Sequence, residues 1–422
     1  MDIDRVSFEP LANGGDDVTG ALVKLDQNCA DLADAIGSTG DGVGTLAQRV
    51  GAVEDAIDGL GGAAALNVGT VAGTVAAGDD ARFLRLGGLK GKAINGAMDV
   101  WQNGTSLSTA GSLNAGRELC DRISVTSTGA STNAQSQGQF TTSDYALPLR
   151  IKARYYLKVD VTSGGTSSSR TLIGTKVLGV RSFAGNKMTV SFLGKASANG
   201  LKMTVTPYQS FGTGGSPSAL LLITPQIVTL TTSWARYTAT FDMPAITGKV
   251  LGTAMDDAVF LNFYVDAGAD FSSVGAIGTQ SGSFYIAELQ PEEGAIATDF
   301  EYRPEPLERA MCLSLRYRIT GPASGYRTIG SANGGGGSTL ARLIVPFPVQ
   351  MLAAPTVTFF GSMAAYPGQT GPVTLASSPI GAVYPANDQF EADLAHSIST
   401  IGGQPYKILL AAGSYLEFNT GL

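Results

Sequence analysis

The chain has 422 residues, enough for two or three domains with cores of their own, yet only 15% of them are charged. That lies well below the roughly 25% of an average globular protein, and with 44% hydrophobic residues it excludes a disordered chain. The net charge of -7 comes without a basic block, which excludes a phosphate-backbone partner, so no nucleic acid is expected. The 55 glycines, together with abundant Ser and Thr, suit β-sheets joined by tight turns rather than a helical enzyme. Cys29, Cys120 and Cys312 are far apart and odd in number, so neither a disulfide framework nor a zinc site is expected, and a reducing compartment fits. The acidic start MDIDRVSFEP has no apolar core of a secretion signal. No apolar run approaches the roughly 20 residues of a membrane span, so no membrane insertion is expected.

In chain order, the first pattern is a heptad repeat within residues 18–62. Leu22, Cys29, Ile36, Val43, Val50 and Ile57 take position a, and Leu25, Leu32, Thr39, Leu46, Val53 and Leu60 take position d. Thr39 is the polar exception, and Cys29 packs as a small hydrophobe. A 3.5-residue apolar period held this long predicts a coiled-coil stem, roughly 55–60 Å if continuous. The run Gly37–Gly44 is a poor helix former, so a loosened turn inside one seam competes with two helices in register across a short loop. An intramolecular helical hairpin is the other alternative. Core rules leave dimer and trimer open, because Val and Ile share a and Leu shares d with Val. Residues 63–92 form a Gly/Ala-rich neck with the near-repeat VGTVAGTV, whose small side chains let chains approach an axis closely.

From residue 93 the period changes to two. Met188, Val190 and Phe192 share one face, Leu261, Phe263 and Val265 another, and Tyr155–Val161, Ala235–Phe241 and Phe284–Leu289 read as further strands. Turn-rich clusters separate them, which predicts an antiparallel β-sandwich of jelly-roll type over 93–303. Leu307, Met311 and Leu315 at helical spacing predict a helical connector over 304–318. A smaller C-terminal β-domain fills 319–422, with SANGGGGS at Ser331–Ser338 expected as a mobile loop. The fold class is therefore mainly β with an N-terminal coiled coil.

For chemistry, the sequence offers aromatics in turn-rich surroundings, where a ring can stack on a sugar's apolar face beside Asn, Asp or Gln donors and acceptors. Tyr208, Phe211, Tyr366, Tyr384 and Phe390 are the candidate receptor-binding residues. Trp101 and Trp234 are further candidates, with packing the preferred reading for both. No catalytic residues are assigned: His396 is the single histidine, and no GxSxG or HExxH occurs. The acidic pairs Asp79-Asp80, Asp256-Asp257 and Glu292-Glu293 read as solvated turns, since a glycosidase needs carboxyls roughly 5–10 Å apart across a cleft. Asp388, Glu391 and Asp393 miss the EF-hand spacing, so no metal and no cofactor are expected.

Four stretches resemble bacteriophage tail-fibre and related tail proteins. DDVTGALVKLDQNCADLADAI (Asp16–Ile36) is similar to a tail-protein opening in which a coiled coil follows a short arm. ALNVGTVAGTVAAGDDARF (Ala65–Phe83) is similar to a neck motif of trimeric fibres. INGAMDVWQNGTS (Ile94–Ser106) with Cys120-Asp121-Arg122 resembles the start of a carbohydrate-binding-module-like jelly roll in tail proteins, although Ile123 stands where that family usually has an aromatic. AELQPEEGAIATDFEYRPEPLERAMCLSLRYR (Ala287–Arg318) resembles that domain's closing strand and following helix, with Tyr317 alone where a Tyr pair is common. The C-terminal stretch RLIVPFPVQMLAAPTVTF (Arg342–Phe359) matches phage tail segments more loosely.

The resemblance implies a homotrimer made in the host cytoplasm and incorporated in the virion tail. Residues 1–17 would be its attachment arm toward other tail, baseplate or collar proteins, with the C-terminal domain at the distal tip. It implies a non-enzymatic structural fibre that binds a host-surface glycan or protein. A collar or decoration fibre without a receptor role is the alternative, and a polysaccharide depolymerase a further one, although the rung repeat of a β-helix is not visible.

Overall fold

The structure, a computed structural model, describes residues 23–30, 90–108, 113–145, 149–334, 340–366, 372–375, 380–384, 386–395 and 405–422. The chain divides into two units, Met1–Gly87 and Gly88–Leu422. In the first, residues 23–30 are helical and carry two of the heptad positions, Leu25, which is exposed, and Cys29, which is half-buried. The remaining seam positions, the neck motif and Asp79-Asp80 lie outside the described residues.

The second unit is mainly β. Its first sandwich is built from β1 (Ser106–Leu107), β2 (Leu113–Glu118), β3 (Ser124–Thr128), β4 (Thr132–Gln139), β5 (Tyr155–Thr162), β6 (Arg170–Leu178), β7 (Lys187–Ala196), β8 (Lys202–Ser210), β9 (Leu221–Leu222), β10 (Gln226–Thr229), β11 (Ala235–Asp242), β12 (Ala258–Ala267) and β13 (Gly282–Glu293). One sheet has the order β1-β4-β5-β13-β7-β11; the other runs β10-β8-β12-β6-β3-β2, with β9 beside β8. From β5 onward the chain repeatedly crosses between the sheets, as in a jelly roll, and the pairings among the described residues are antiparallel.

Alternation decides which side chains meet between the sheets. Met188, Val190 and Phe192 of β7, Leu157, Val159 and Val161 of β5, and Leu261, Phe263 and Val265 of β12 belong to one buried cluster. Phe192 and Phe263 meet edge to face at 5.3 Å. Trp101 packs on this cluster and donates its Nε1–H to the Met98 carbonyl at 2.5 Å. Cys120 and Cys312 are buried free thiols.

A helix, Glu305–Leu313, follows and begins just after Pro304, whose fixed φ suits a helix start. The chain enters β14 (Arg316–Thr320) inside the span expected as connector, with Ile319 buried in the C-terminal core and Arg316 buried against Glu118 and Glu417 on the opposite face. The C-terminal sandwich adds β15 (Tyr326–Gly334), β16 (Leu340–Pro346), β17 (Thr356–Phe360), β18 (Met363–Tyr366), β19 (Val373–Thr374), β20 (Ile380–Tyr384), β21 (Gln389–Ala395), β22 (Pro405–Ala411) and β23 (Tyr415–Asn419). A three-stranded sheet, β14-β23-β17, covers a seven-stranded one, β19-β18-β22-β15-β16-β21-β20, around Leu343, Phe390, Leu410 and Phe418. The first half of SANGGGGS corrects the loop expectation: Ser331–Gly334 is strand, paired with β16 on one side and, through Asn333, with β22 on the other. Two-sided ladder bonding outweighs the flexibility of its glycine here.

β14 also joins the two sandwiches. Arg316 bridges Glu118 at 2.8 Å and Glu417 at 2.7 Å, and Gln102 exchanges bonds with the Arg316 carbonyl at 3.0 Å and the Arg318 N–H at 3.1 Å.

Candidate functional site

The outer face of the six-stranded sheet carries an aromatic platform. On β5, the inward residues Leu157 and Val159 leave Tyr156 and Lys158 pointing outward; on β13, inward Phe284 and Ile286 leave Tyr285 outward. The register sets Tyr285 opposite Lys158 on one side and Lys195 on the other. Trp234, one residue before β11, closes the edge. Ring centroids lie 5.1 Å apart for Tyr156 and Trp234, 6.0 Å for Tyr156 and Tyr285, and 6.2 Å for Trp234 and Tyr285, and each pair meets edge to face, at 66°, 61° and 75°. Phe140 lies 5.0 Å from both Tyr156 and Trp234 as a buried support beneath them.

Glycine makes this packing possible. Tyr156 pairs across strands with Gly138, and its ring occupies the space a Cβ there would need. Beside the platform, β13 bulges between Ala287 and Gln290, and Glu288 adopts φ 47. The bulge turns the buried Glu288 carboxylate to the outer face, where it accepts the N–H of Ala153 at 3.0 Å, the N–H of Lys152 and a guanidinium N–H of Arg236. Those three contacts hold the strained backbone and fix Arg236 at the platform's rim.

The platform is basic as well as aromatic. Lys195 Nζ stands 4.9 Å from the ring centroids of both Trp234 and Tyr285, and Lys158 Nζ 6.0 Å from that of Tyr285. Lys158 is also bonded to Asp160 at 2.9 Å, and that bond holds its ammonium above the usual lysine range. Burial, then the neighbouring Tyr285, raises the Tyr156 hydroxyl, which stays a neutral donor and acceptor at physiological pH. Tyr156, Trp234, Tyr285 and Lys195 are all half-buried, so each keeps an accessible part. Because the rings meet edge to face they share no common plane; the accessible face of a single ring can stack on an apolar ring face, with hydroxyls, ammonium groups and the Arg236 guanidinium nearby to bond hydroxyl groups at its edge.

The residues named from sequence lie elsewhere and do not converge. Phe211 is buried, and Phe390 packs 4.9 Å from Phe418 in the C-terminal core, so neither presents a face to a ligand; the apolar surroundings outcompeted the turn-rich context. Tyr208 is on the outer face of the other sheet, its hydroxyl 3.1 Å from that of Tyr264, within an apolar cluster that includes Val274 and Phe271 of the 3-10 turn Ala269–Val274. Tyr384 is exposed and bonded to Arg342 at 2.9 Å and Asp393 at 3.1 Å, with the guanidinium over its ring at 4.5 Å. Tyr366 is half-buried on β18. His396 lies outside the described residues. Asp256 and Asp257 cap main-chain N–H groups of Thr213 and Val180, Glu292 accepts from Thr298, and Glu391 and Asp393 pair with Arg342.

Trp234 was expected in the core and instead stands half-buried at the platform's edge, beside a small outer cluster with Phe140 and Leu193. Tyr156 and Tyr285 went unnoticed in the sequence. Their signal is an aromatic at an outward strand position beside buried apolar inward ones, Leu157 and Val159 on β5 and Phe284 and Ile286 on β13.

Neither a protein-family model nor a curated protein matches the chain. Solved structures are similar to it over part of its length. One is a family 11 carbohydrate-binding module of Clostridium thermocellum in complex with a mixed-linked tetrasaccharide, at 11% identity, covering 45% of this chain and 100% of the module, with a TM-score of 0.28. A second is a putative sugar-binding protein of Bacteroides thetaiotaomicron, at 12% identity, covering 49% of this chain and 100% of that one, with a TM-score of 0.29. A third is the enzymatically active domain of tailspike protein 4 of bacteriophage CBA120, at 10% identity, covering 48% of this chain but only 21% of the tailspike, with a TM-score of 0.28. Similarity of this extent assigns neither ligand nor activity to the chain.

Proposed function

We propose that this protein is a non-enzymatic, homotrimeric phage tail-fibre subunit whose first sandwich binds a host-surface glycan on the outer face of the six-stranded sheet. The observation that carries the glycan reading is the platform of Tyr156, Trp234 and Tyr285 with Lys195 set against two of its rings. In a sheet that faces water, alternation favours polar outward residues; three half-buried rings grouped there with basic side chains fit recognition better than packing. The fibre reading rests on the heptad seam and on the resemblance of the neck and the closing strand to tail proteins. On this reading the seam joins three copies, the N-terminal arm docks on the virion, and the sandwiches are displayed outward.

Binding of the full chain to a glycan array, repeated with Trp234→Ala, tests the site. The expected result is selective glycan binding weakened about tenfold by the substitution. Unchanged binding in Trp234→Ala, or none in the parent, refutes the site. Light scattering tests the assembly, and a monomeric mass refutes the trimer. Release of reducing ends from host polysaccharide would overturn the non-enzymatic reading.

A further inference from the structure

The platform's charges do not balance. One row of the six-stranded sheet carries Ser136 of β4, Lys158 of β5, Tyr285 of β13 and Lys195 of β7, each opposite the next. The row continues to Trp234, because Ala235 at the start of β11 pairs with Gly194. Cation and ring therefore alternate across the sheet in the order Lys158, Tyr285, Lys195, Trp234, about 4.8 Å of strand spacing per step. Lys158 is answered by Asp160 at 2.9 Å, and Arg236 by the buried Glu288. Lys195 has no ion pair or hydrogen-bond partner among the described residues, only the ring centroids of Trp234 and Tyr285 at 4.9 Å.

A ring face draws an ammonium through its quadrupole but brings no counter-charge. Trp234 and Tyr285 thus position the Lys195 Nζ and leave its charge unanswered. Asp144 feels that charge as the weakest of the influences on its carboxylate, which Thr141 holds through its N–H and Oγ1 at 2.7 Å each. Within the platform, Lys158, Lys195 and Arg236 face Asp160 and Glu288, so one positive charge is left over on a chain whose net charge is -7. Lys195 is half-buried and keeps an accessible part, on the outward side of β7 beside both rings.

We propose that the platform selects acidic glycans, a uronic-acid carboxylate pairing with the Lys195 ammonium while its sugar ring lies against Trp234 or Tyr285. This rests on the glycan reading above and adds the charge of the ligand to it. A uronic acid carries its carboxylate directly on a ring carbon, at the edge of the pyranose. A sugar stacked on one of these two rings therefore projects the carboxylate sideways, toward the next position in the row, where Lys195 stands. The pair so formed is a charge-assisted hydrogen bond, stronger than the bonds a neutral hydroxyl makes at the same place.

An array of uronate-containing glycans, each beside its carboxyl-reduced neutral form, tests the selectivity of the full chain. The acidic member of a pair should bind about fivefold to tenfold more tightly than the neutral one. Lys195→Gln should bring that ratio close to one. Lys407→Gln removes the same charge from an exposed position of β22 in the other sandwich and should keep the ratio. Trp234→Ala should weaken both members of each pair. Equal binding of the two members, or a ratio that Lys195→Gln leaves unchanged, overturns the acidic assignment while the platform stands. A ratio lost equally in Lys407→Gln gives the preference to the overall charge of the protein and overturns it too. Preference for O-sulfated neutral glycans with none for uronates overturns the carboxylate. Binding of neither member of any pair refutes the platform itself, so the two readings fail in different ways.

Discussion

Removing Arg303 while leaving Glu308 in place is expected to destabilise the first sandwich severely. The two side chains are 8% and 3% exposed, with Nε to Oε2 at 2.6 Å and Nη2 to Oε1 at 3.0 Å. Arg303 also donates to the carbonyls of Gly91, at 2.8 Å, and Ala93, while Glu308 accepts the N–H of Asn95. The pair thus clips the start of the sandwich to the helix that leaves it. Arg303→Met strands a buried carboxylate and two carbonyls, which costs about 3–5 kcal/mol. Arg303→Met with Glu308→Leu removes the stranded charge but leaves the Asn95 N–H unpaired, so it should recover only about 1–2 kcal/mol of that loss. Urea unfolding of the full chain gives the global cost, and amide exchange at Asn95 gives the local one. Asn95 should stay protected in Arg303→Met and lose protection in Glu308→Leu. If Arg303→Met unfolds within about 1 kcal/mol of the parent, or the double variant shows the sum of the single losses, the clip is not a coupled pair and the reasoning fails.

Asp121 supplies a pH test. Burial raises its carboxyl from 3.8 to about 6, against the bonds it accepts from Gln102. The folded state therefore holds this proton more tightly than the unfolded one, so stability falls as pH rises from about 4 through about 6, by about 3 kcal/mol in all. Asp121→Asn should be more stable than the parent in urea at pH 7.5 and lose that advantage by pH 4; a constant difference would contradict the assignment. Gly138→Val should push the Tyr156 ring out of place, shifting Trp234 fluorescence and weakening glycan binding while the circular dichroism stays that of a β-protein. Phe192→Ala, at the contact with Phe263, should cost about 3–5 kcal/mol in urea unfolding.

The strands that read clearly in the sequence are those with one face in the core. β7 and β12 repeat large apolar residues at every second position because the opposite sheet demands them, and a one-residue slip would bury lysine or asparagine instead. β15 ends in the Gly-rich SANGGGGS, whose composition reads as loop because strand formation there depends on β16 and β22, distant in sequence. The helix after Pro304 was legible from its apolar spacing, but its end was not: Arg316 and Arg318 belong to strand β14, where Glu118, Glu417 and Asn103 are brought to them from far along the chain.

The platform stayed hidden for a related reason. Looking for ligand-binding aromatics in turn-rich surroundings selected Phe211 and Phe390, yet Phe211, in the loop after β8, is buried, and Phe390 occupies an inward position of strand β21. A ring at the outward position of a strand cannot turn into the core: the pleat commits it to the face opposite the core. Tyr156 and Tyr285 are held outward in this way by Leu157, Val159, Phe284 and Ile286, and need only a glycine opposite and a tryptophan at the edge to become a surface. Position on the pleat therefore separates candidate ligand contacts from core residues better than the company of Gly, Asn and Pro does. By that criterion the candidate contacts of the first sandwich lie on the outer face of its six-stranded sheet, at Tyr156, Trp234 and Tyr285.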